Sequence, residues 1–561
     1  NNKITDSIIY DTSTMIGIGT AQPTERLHVD GNIRVTGRYR DSNNSSGLNT
    51  NVLTSTANGT KWEDFSVLIN QPFQFNVVSL TGIQSPTNTA TGNYSFAVGN
   101  GAEATTEYSV AMGYQTEATG IRSFAVGSGN KADGNYSVAL GSSTQAKRQY
   151  STAMGQNTLA DGDYSTAMGK STTASGDYST AIGRETVASG LASNSFGAFT
   201  KTSGNSAFAS GNNTVASGNY STALGIQTNA SGGSSVAMGN NTNASGDYSV
   251  AMGKDTTASG YASTAMGDSA TASGLRSTAG GYNTIASGDY STATGYESEA
   301  IGLTSNATGF RTEASGKRAV SMGESTVASG DYSTSMGYNT EASGESSTAL
   351  GSGTTANASY STAIGQNTIA SGNWSTSMGS STTASASYST AIGKDTDAGG
   401  YASTAIGNGT TASGDYSTSI GYLTEASGDK STAIGEQTTA SGSWSTALGN
   451  QSLAEGTISF ASGYQTTASG NRAVSMGDNT TASGDYSTAL GRNTIASGNY
   501  STAMGRGTDA SGEYGVSMGI NTEASGIRST SLGDTTIASG DYSTAIGQST
   551  TASGNVSTAT G

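Results

Sequence analysis

The sequence contains no cysteine, and among its 561 residues only three are proline and one is histidine. The absence of cysteine excludes disulfide bonds and thiolate metal sites. The single histidine, His28, lies in a strand-like run without a clustered carboxylate, so we expect it to be structural rather than catalytic. No apolar run approaches the ~20 residues of a membrane-spanning helix. We therefore expect no direct membrane insertion by this segment.

Charged residues are also scarce, at 11%, and acidic residues exceed basic ones to give a formal net charge of -16. Nucleic-acid binding requires clustered lysine and arginine, so we expect no nucleic-acid partner. Hydrophobic residues make up only 33%, which is too few for several globular cores. Low charge also argues against an ordinary disordered chain. The composition therefore predicts a repetitive structure with a thin core of small residues.

Glycine is abundant, with 80 residues, and it marks a strict period of 14 that begins at Gly92. A typical unit is GDYSTAMGKSTTAS at 162–175, and 33 complete units run without insertion or deletion to a partial unit at 554–561. Counted from the first glycine, position 8 is always glycine and position 6 is alanine or serine. Position 4 is nearly always serine, position 11 mostly threonine and position 13 alanine except at Thr202. The chain begins without methionine and ends inside a repeat, so we expect a piece of a longer protein.

The pattern within each unit predicts one flattened coil of a β-solenoid. YSTAMG alternates with period 2 and predicts a strand, and positions 10–13 predict a second, shorter one. A 14-residue coil encloses little space, so only the small residues at positions 4, 6, 11 and 13 fit inside at native density. The larger residues at positions 5 and 7 must then point outward. At ~4.8 Å per coil, the stack would be roughly 160 Å long.

The outward residues at positions 5 and 7 form an apolar stripe of more than ~2,500 Å². A monomer rarely exposes more than a few hundred Å² of contiguous apolar surface, so the stripe should meet copies of itself. Three units exchange bulk between the two positions, with Phe208 beside Ser210, Phe460 beside Ser462, and Asn194 beside Phe196. Volume is conserved, as one shared core requires. The predicted interface residues are Val98, Met112, Met168, Ile182, Phe208, Met252, Ile364, Phe460 and Met504.

Three successive units interrupt the stripe, because position 7 holds Gly280, Thr294 and Thr308. At this level the shared seam should be polar. One hypothesis is an axial polar ring of Thr294, Asn306 and Thr308, in which the Asn306 side chains hold water or an anion. Buried water alone is the alternative.

Aromatic residues recur at position 3 and predict a surface ladder that includes Tyr164, Tyr178, Trp374 and Trp444. Two interpretations remain open: the rings stack on sugars, or they flank the intersubunit seam. Aspartate recurs at position 2, for example Asp163 and Asp247, but one carboxylate per coil is too few for a calcium cage and suits a turn. The inward serines have no base beside them. We therefore expect no metal, no cofactor and no enzymatic activity.

The units resemble a known family in SVAMG at 249–253, SVALG at 137–141 and STAIG at 179–183. These motifs, at a period of 14, resemble the head repeats of YadA-like trimeric autotransporter adhesins over 92–561. The resemblance implies a left-handed parallel β-roll in which three identical chains pack around one axis. The expected fold is thus an all-β, homotrimeric β-solenoid of 14-residue coils with a small N-terminal β module.

Residues 1–91 do not repeat, and they contain all three prolines. The runs at 26–37, 52–56 and 65–80 predict strands. Residues 17–37 and 51–62 resemble a module of phage tail fibres and bacterial fibrous surface proteins. We expect two domains: a β-rich attachment or capping module at 1–91 and the β-roll at 92–561.

Two functional hypotheses follow for this extracellular protein. The first is a trimeric adhesin or tail-fibre-like protein that projects from a cell or virion and attaches to a host-cell or matrix receptor, with glycans among the candidates. Residues at positions 10 and 12 and in the turns would then contact the receptor. The alternative is a passive shaft whose binding tip lies outside this sequence. The sequence leaves a bacterial and a phage origin both open.

Overall fold

The computed structural model describes residues 9–34, 36–40, 42–43, 51–56, 59–64, 74–75 and 82–561. The chain divides into two compact units, Asn1–Ile182 and Gly183–Gly561. The described residues form strands and turns without any helix, so the chain is all-β. A helix able to cross a membrane is accordingly not found in these ranges.

The N-terminal part of the first unit contains short strands outside the repeat. Ile9–Asp11 pairs antiparallel with Ile16–Ile18, which pairs parallel with Leu27–Val29. Asn51–Thr56 and Gly59–Asp64 form an antiparallel hairpin. Of the strand run predicted at 65–80, only Gln74–Phe75 belongs to the described residues, and it pairs antiparallel with Ile83–Gln84. The rest of that prediction lies outside the described ranges.

Each coil contains a five-residue strand at positions 5–9 and a two-residue strand at positions 12–13. In the first unit the long strands run from Phe96–Asn100 to Thr166–Lys170, and the short ones from Thr89–Ala90 to Thr173–Ala174. In the second unit the short strands run from Val187–Ala188 to Thr551–Ala552. The long strands there run from Asn194–Ala198 to Thr544–Gln548 and are followed by Thr558–Thr560; Thr180–Arg184 spans the boundary between the units.

The second strand is shorter than the predicted range of 10–13 because position 10 leaves the extended conformation. Its φ lies between +49° and +67° in every coil, as at Gln115 and Asn367. This left-handed backbone cannot continue a strand. The frequent glycine and asparagine at position 10, such as Gly353 and Asn241, are the sequence signal for it.

Neighbouring coils pair in parallel and in register, each residue opposite the one 14 positions later. Phe96 lies opposite Val110 in the first unit, and Thr362 lies opposite Thr376 in the second. Within each unit, every position therefore stacks on its own copy in the next coil. In the first unit the pairing begins before Gly92, because Thr89–Ala90 already pairs with Glu103–Ala104.

The lumen is filled by the small residues at positions 4, 6, 11 and 13. One buried cluster consists of Ala384, Ala391, Ala398, Ala405 and Ala412, all fully buried. The serines at position 4 and the threonines at position 11, such as Ser361 and Thr368, are equally inaccessible. The volume argument from the sequence is therefore confirmed: small side chains lie inside the coil.

A hydrogen bond shows how narrow the lumen is. In the eight coils with serine at position 6, its Oγ lies 2.6–2.7 Å from the threonine Oγ1 at position 11, directly across the coil. The pairs are Ser195–Thr200, Ser321–Thr326, Ser335–Thr340, Ser377–Thr382, Ser419–Thr424, Ser475–Thr480, Ser517–Thr522 and Ser531–Thr536. One hydrogen bond thus spans the space between the two strands.

The invariant glycine at position 8 has both a conformational and a steric cause. Its φ lies between +110° and +140° from Gly99 to Gly547, a region that side chains strongly disfavour. At Gly365, an added Cβ would lie 1.8 Å from the carbonyl oxygen of Gly379 in the next coil. Position 1 is equally crowded, since an added Cβ at Gly372 would lie 1.8 Å from the Ala386 carbonyl oxygen, but it lacks the unusual φ. Four coils have another residue there: Thr106, Arg148, Ala358 and Ala386.

Substitutions at Ala391 test the size of the lumen. Ala391→Leu should destabilise the fold by about 3 kcal/mol, because the larger side chain overpacks a space that elsewhere fits only a hydroxyl. Ala391→Ser is the matched control and should change stability by less than about 1 kcal/mol, since Thr396 is available as a partner across the coil. Chemical denaturation followed by circular dichroism measures both. Equal stability of the two variants would contradict the narrow lumen.

Candidate functional site

The long strand carries an apolar stripe on its outer side. Its even positions 4 and 6 are buried, so positions 5 and 7 point away from the lumen. None of the nine residues predicted to form an interface is buried within the chain: Met112 and Met504 are 36% exposed, and the others are half-buried. The structure therefore places each of the nine on the outer side of the long strand within its own unit: Val98, Met112, Met168 and Ile182 in the first, and Phe208, Met252, Ile364, Phe460 and Met504 in the second.

Two phenylalanines show that positions 5 and 7 share this face. Phe196 at position 7 and Phe208 at position 5 of the next coil have ring centroids 5.6 Å apart, with an angle of 43° between planes. Phe208 lies opposite Asn194, and Phe196 lies opposite Ser210. Each large side chain therefore packs beside a smaller one, which keeps the volume of the stripe nearly constant.

The polar break in the stripe is a connected hydrogen-bond chain. The Thr294 hydroxyl donates to Thr308 Oγ1 over 3.1 Å, and the Thr308 hydroxyl donates to Asn306 Oδ1 over 2.8 Å. The three residues of the predicted polar ring are therefore in contact within one chain. Beside them, Tyr296 stacks between Tyr282 and Phe310 with centroid distances of 4.7 and 4.9 Å.

The aromatic residues at position 3 form a ladder, and their backbone adopts the left-handed conformation. The φ at position 3 lies between +52° and +62° in every coil, including those with tyrosine or tryptophan. The backbone N–H at this position donates to position 2 of the preceding coil, as in the 2.7 Å bond from Tyr360 to the Glu345 carbonyl. Hydrogen bonding and ring stacking between coils offset the ~1–2 kcal/mol cost of the left-handed conformation. Nothing in the tyrosine-rich sequence at this position signals that conformation.

The rings named in the predicted ladder belong to separate stacked runs. Tyr164 and Tyr178 are stacked at 5.0 Å, and Trp374 lies 4.0 Å from Tyr360 and 6.4 Å from Tyr388. Trp444 instead carries the Lys430 ammonium 3.9 Å above its ring. Within these runs the ring faces mainly contact their neighbours, so the exposed parts are the ring edges.

The recurring aspartates at position 2 fix the turn, as the sequence predicts. Asp177 accepts a hydrogen bond from the backbone N–H of Asp163 over 2.9 Å, and Asp247 accepts one from Gly233 over 2.7 Å. Each carboxylate therefore serves the preceding coil. Across the described part of the chain, no cluster of three or more histidine, cysteine, aspartate or glutamate side chains is placed to hold a metal ion.

His28 and the ion pair between Lys131 and Glu117 make local contacts. His28 Nδ1 accepts a hydrogen bond from the Thr24 backbone N–H over 3.3 Å. Lys131 Nζ lies 2.8 Å from Glu117 Oε2 in the preceding coil, and this hydrogen bond raises the pKa of Lys131. Both side chains are exposed, so the pair contributes little to stability. Position 12 is mixed along the chain, with charged residues such as Glu117 and Lys131 and aliphatic ones such as Val215 and Ile285.

Comparison with known proteins agrees with this architecture. No curated protein matches the chain. The family described as the YadA head domain repeat (2 copies) matches most of it. The matched residues are 90–116, 118–144, 146–172, 160–186, 174–200, 202–228, 230–256, 258–284, 281–298, 314–340, 342–368, 370–396, 398–424, 426–452, 454–480, 482–508, 510–536 and 538–561. The chain therefore belongs to the YadA head domain repeat family of adhesin-like surface proteins.

Proposed function

We propose that this protein is a fibrous trimeric adhesin, in which three left-handed β-rolls pack around one axis and attach a cell to a host or matrix receptor. The observation that carries the proposal is the outward apolar stripe on repeats that match an adhesin family. Such a protein acts outside the cell, at its surface. A tail-fibre role on a virion is the variant favoured by the resemblance of residues 17–37 and 51–62.

The apolar stripe supports self-association. A Leu-sized side chain contributes roughly 2 kcal/mol when fully buried, and each regular coil offers one at position 7. Association costs several kcal/mol in lost freedom, which a single coil does not overcome but many coils in register do. Identical chains with identical stripes favour a closed symmetric assembly, and the family resemblance favours three copies.

The polar break would face the same seam. In a trimer, three copies of Asn306 would lie at one level, each with its Oδ1 already accepting from Thr308. Among the described residues, Asn306 Nδ2 donates to no partner in its own chain. We propose that the three amide groups hold water or an anion on the axis, with buried water alone as the second candidate.

Attachment and passive support are the two candidate tasks. Varied side chains at positions 10 and 12 and aromatic turns support attachment, with avidity from three chains and from repetition. The uniform register supports a passive shaft, because regular coils offer few distinctive pockets. The cell-binding experiment described below separates the two.

Aspartate substitutions test the proposed interface. Met168→Asp combined with Met252→Asp should shift the trimer–monomer equilibrium toward monomers, because six charges per trimer would be buried in an apolar seam. Thr173→Asp combined with Thr257→Asp is the matched control, since it alters position 12 of the same coils. Analytical ultracentrifugation measures the assembly state. Trimers of equal stability in both double variants would argue against an interface at positions 5 and 7.

A high-resolution structure of the trimer tests the polar break. We expect a density peak on the axis at the level of Asn306, within hydrogen-bond distance of all three side chains. Bromide soaking distinguishes the candidates, because an anion site gives an anomalous peak and a water site does not. A dry axis at this level would contradict both candidates.

Binding to cells tests the adhesive task. Fluorescent beads coated with the full chain should bind host epithelial cells, and beads coated with the Met168→Asp, Met252→Asp variant should bind less because fewer trimers remain to engage the cell with three chains. Flow cytometry gives the bound fraction. Absence of binding by the wild-type chain would favour the passive shaft.

A further inference from the structure

The aromatic ladder at position 3 contains a gap of one ring. Tyr332 and Tyr360 occupy position 3 two coils apart, and the coil between them has Ser346 in that place. Elsewhere in the second compact unit (183–561), tyrosines occupy position 3 in consecutive coils. The ring centroids of one such pair, Tyr486 and Tyr500, are 4.8 Å apart. Two coil steps therefore separate Tyr332 from Tyr360 by roughly 9.6 Å. That distance accommodates one six-membered ring between the two faces.

Both walls of the gap are supported from behind. The Arg318 guanidinium lies 5.6 Å from the centre of the Tyr332 ring, and Trp374 stacks on Tyr360 at 4.0 Å with 7° between planes. Both tyrosines have a φ of +60°. No ring or cation among the described residues covers the faces that border the gap. The walls are thus preorganised, and the inner faces remain available.

The protein fills an equivalent gap with its own ring in another coil. There position 3 is Ala402, and Tyr401 at position 2 lies between the neighbouring tyrosines. Its centroid is 5.6 Å from that of Tyr388 and 5.3 Å from that of Tyr416, with interplanar angles of 72° and 71°. A gap of this width therefore admits a ring. Beside Ser346, position 2 is Glu345, which supplies a carboxylate and no ring.

The same arrangement occurs a second time in the compact unit 183–561. Tyr220 and Tyr248 flank Ser234, and position 2 of that coil is Gly233. Tyr261 packs edge-on against Tyr248 at 5.5 Å and supports that wall. Tyr220 is 68% exposed. Two gaps with a serine floor and tyrosine walls are thus present.

We propose that each gap binds the pyranose ring of a neutral sugar. Tyrosine faces bind the C–H surfaces of a sugar ring, and the serine hydroxyl at the floor hydrogen-bonds to sugar hydroxyls. At Ser346, the exposed Glu345 carboxylate accepts hydrogen bonds from hydroxyl groups and repels acidic sugars. A purely aromatic guest would make no hydrogen bond to that carboxylate or to the serine. The inference rests on the proposed adhesive function and gives its receptor a chemical class, a neutral glycan.

Variants that close or open a gap test the proposal on the full chain. Ser346→Tyr with Ser234→Tyr continues the ladder as the protein does elsewhere and should weaken sugar binding at least about tenfold. Tyr150→Ser opens a new gap between Tyr136 and Tyr164, which now stack on Tyr150 at 4.8 and 4.7 Å, and should add binding. The probes are cellobiose, lactose and 3′-sialyllactose, followed by saturation-transfer NMR and by the fluorescence of Trp374.

The outcomes are distinct from those of the cell-binding experiment. Binding of cellobiose or lactose that is lost in the double variant and gained in Tyr150→Ser supports the proposal, even if cells do not bind. Equal binding by the wild-type chain and the double variant overturns it, and so does the absence of binding by all three probes. Equal binding of 3′-sialyllactose overturns the restriction to neutral sugars. Cell attachment that persists in the double variant places the adhesive contact elsewhere.

Discussion

Parallel hydrogen bonding between coils, with every residue opposite its own copy 14 positions later, is the constraint on which the structure depends. Because each position stacks on itself, a side chain that is too large or a φ that is unsuitable conflicts with the equivalent residues of the two neighbouring coils. The lumen therefore contains only alanine, serine, threonine and similarly small residues. Position 8 contains only glycine, since its φ of +110° to +140° strongly disfavours a side chain and the backbone of the next coil also lies where a Cβ would be. The residues that vary are those that leave this ladder undisturbed.

The faces of the coil could be predicted from the sequence because they depend on volume, and 14 residues enclose too little space for methionine or tyrosine. The left-handed backbone at position 3 could not be predicted, since tyrosine has no preference for it and the hydrogen bond to the preceding coil stabilises it. That conformation decides how Tyr360 and Trp374 stack. At position 10 the frequent glycine and asparagine do indicate the left-handed backbone conformation. Because that conformation interrupts the extended chain, the short strand begins only at position 12. Handedness and the number of chains depend on packing beyond one coil, so they come from family resemblance and not from the period.

The outer surface of the coil has two parts with different chemistry. In the second unit the apolar stripe at positions 5 and 7 is interrupted where position 7 holds Gly280, Thr294 and Thr308, and the two threonines and Asn306 are joined there by hydrogen bonds. The turn at positions 2 and 3 combines carboxylates, which bind backbone N–H groups, with rings that stack along the solenoid. Self-association suits the first part and contact with other molecules suits the second. A single short repeat thus presents two chemically different surfaces on the same backbone.

The in-register pairing also determines how such a protein changes during evolution. Each coil contacts only the coils before and after it, so duplication or deletion of a whole coil leaves all remaining contacts intact, whereas a one-residue insertion does not. Ser234 and Ser346 are eight coils apart, a separation of roughly 38 Å at ~4.8 Å per coil. Genetic recombination between repeats would alter this distance only in whole coil steps. The family can therefore adjust the spacing of surface features discretely, by copy number, without redesigning any residue.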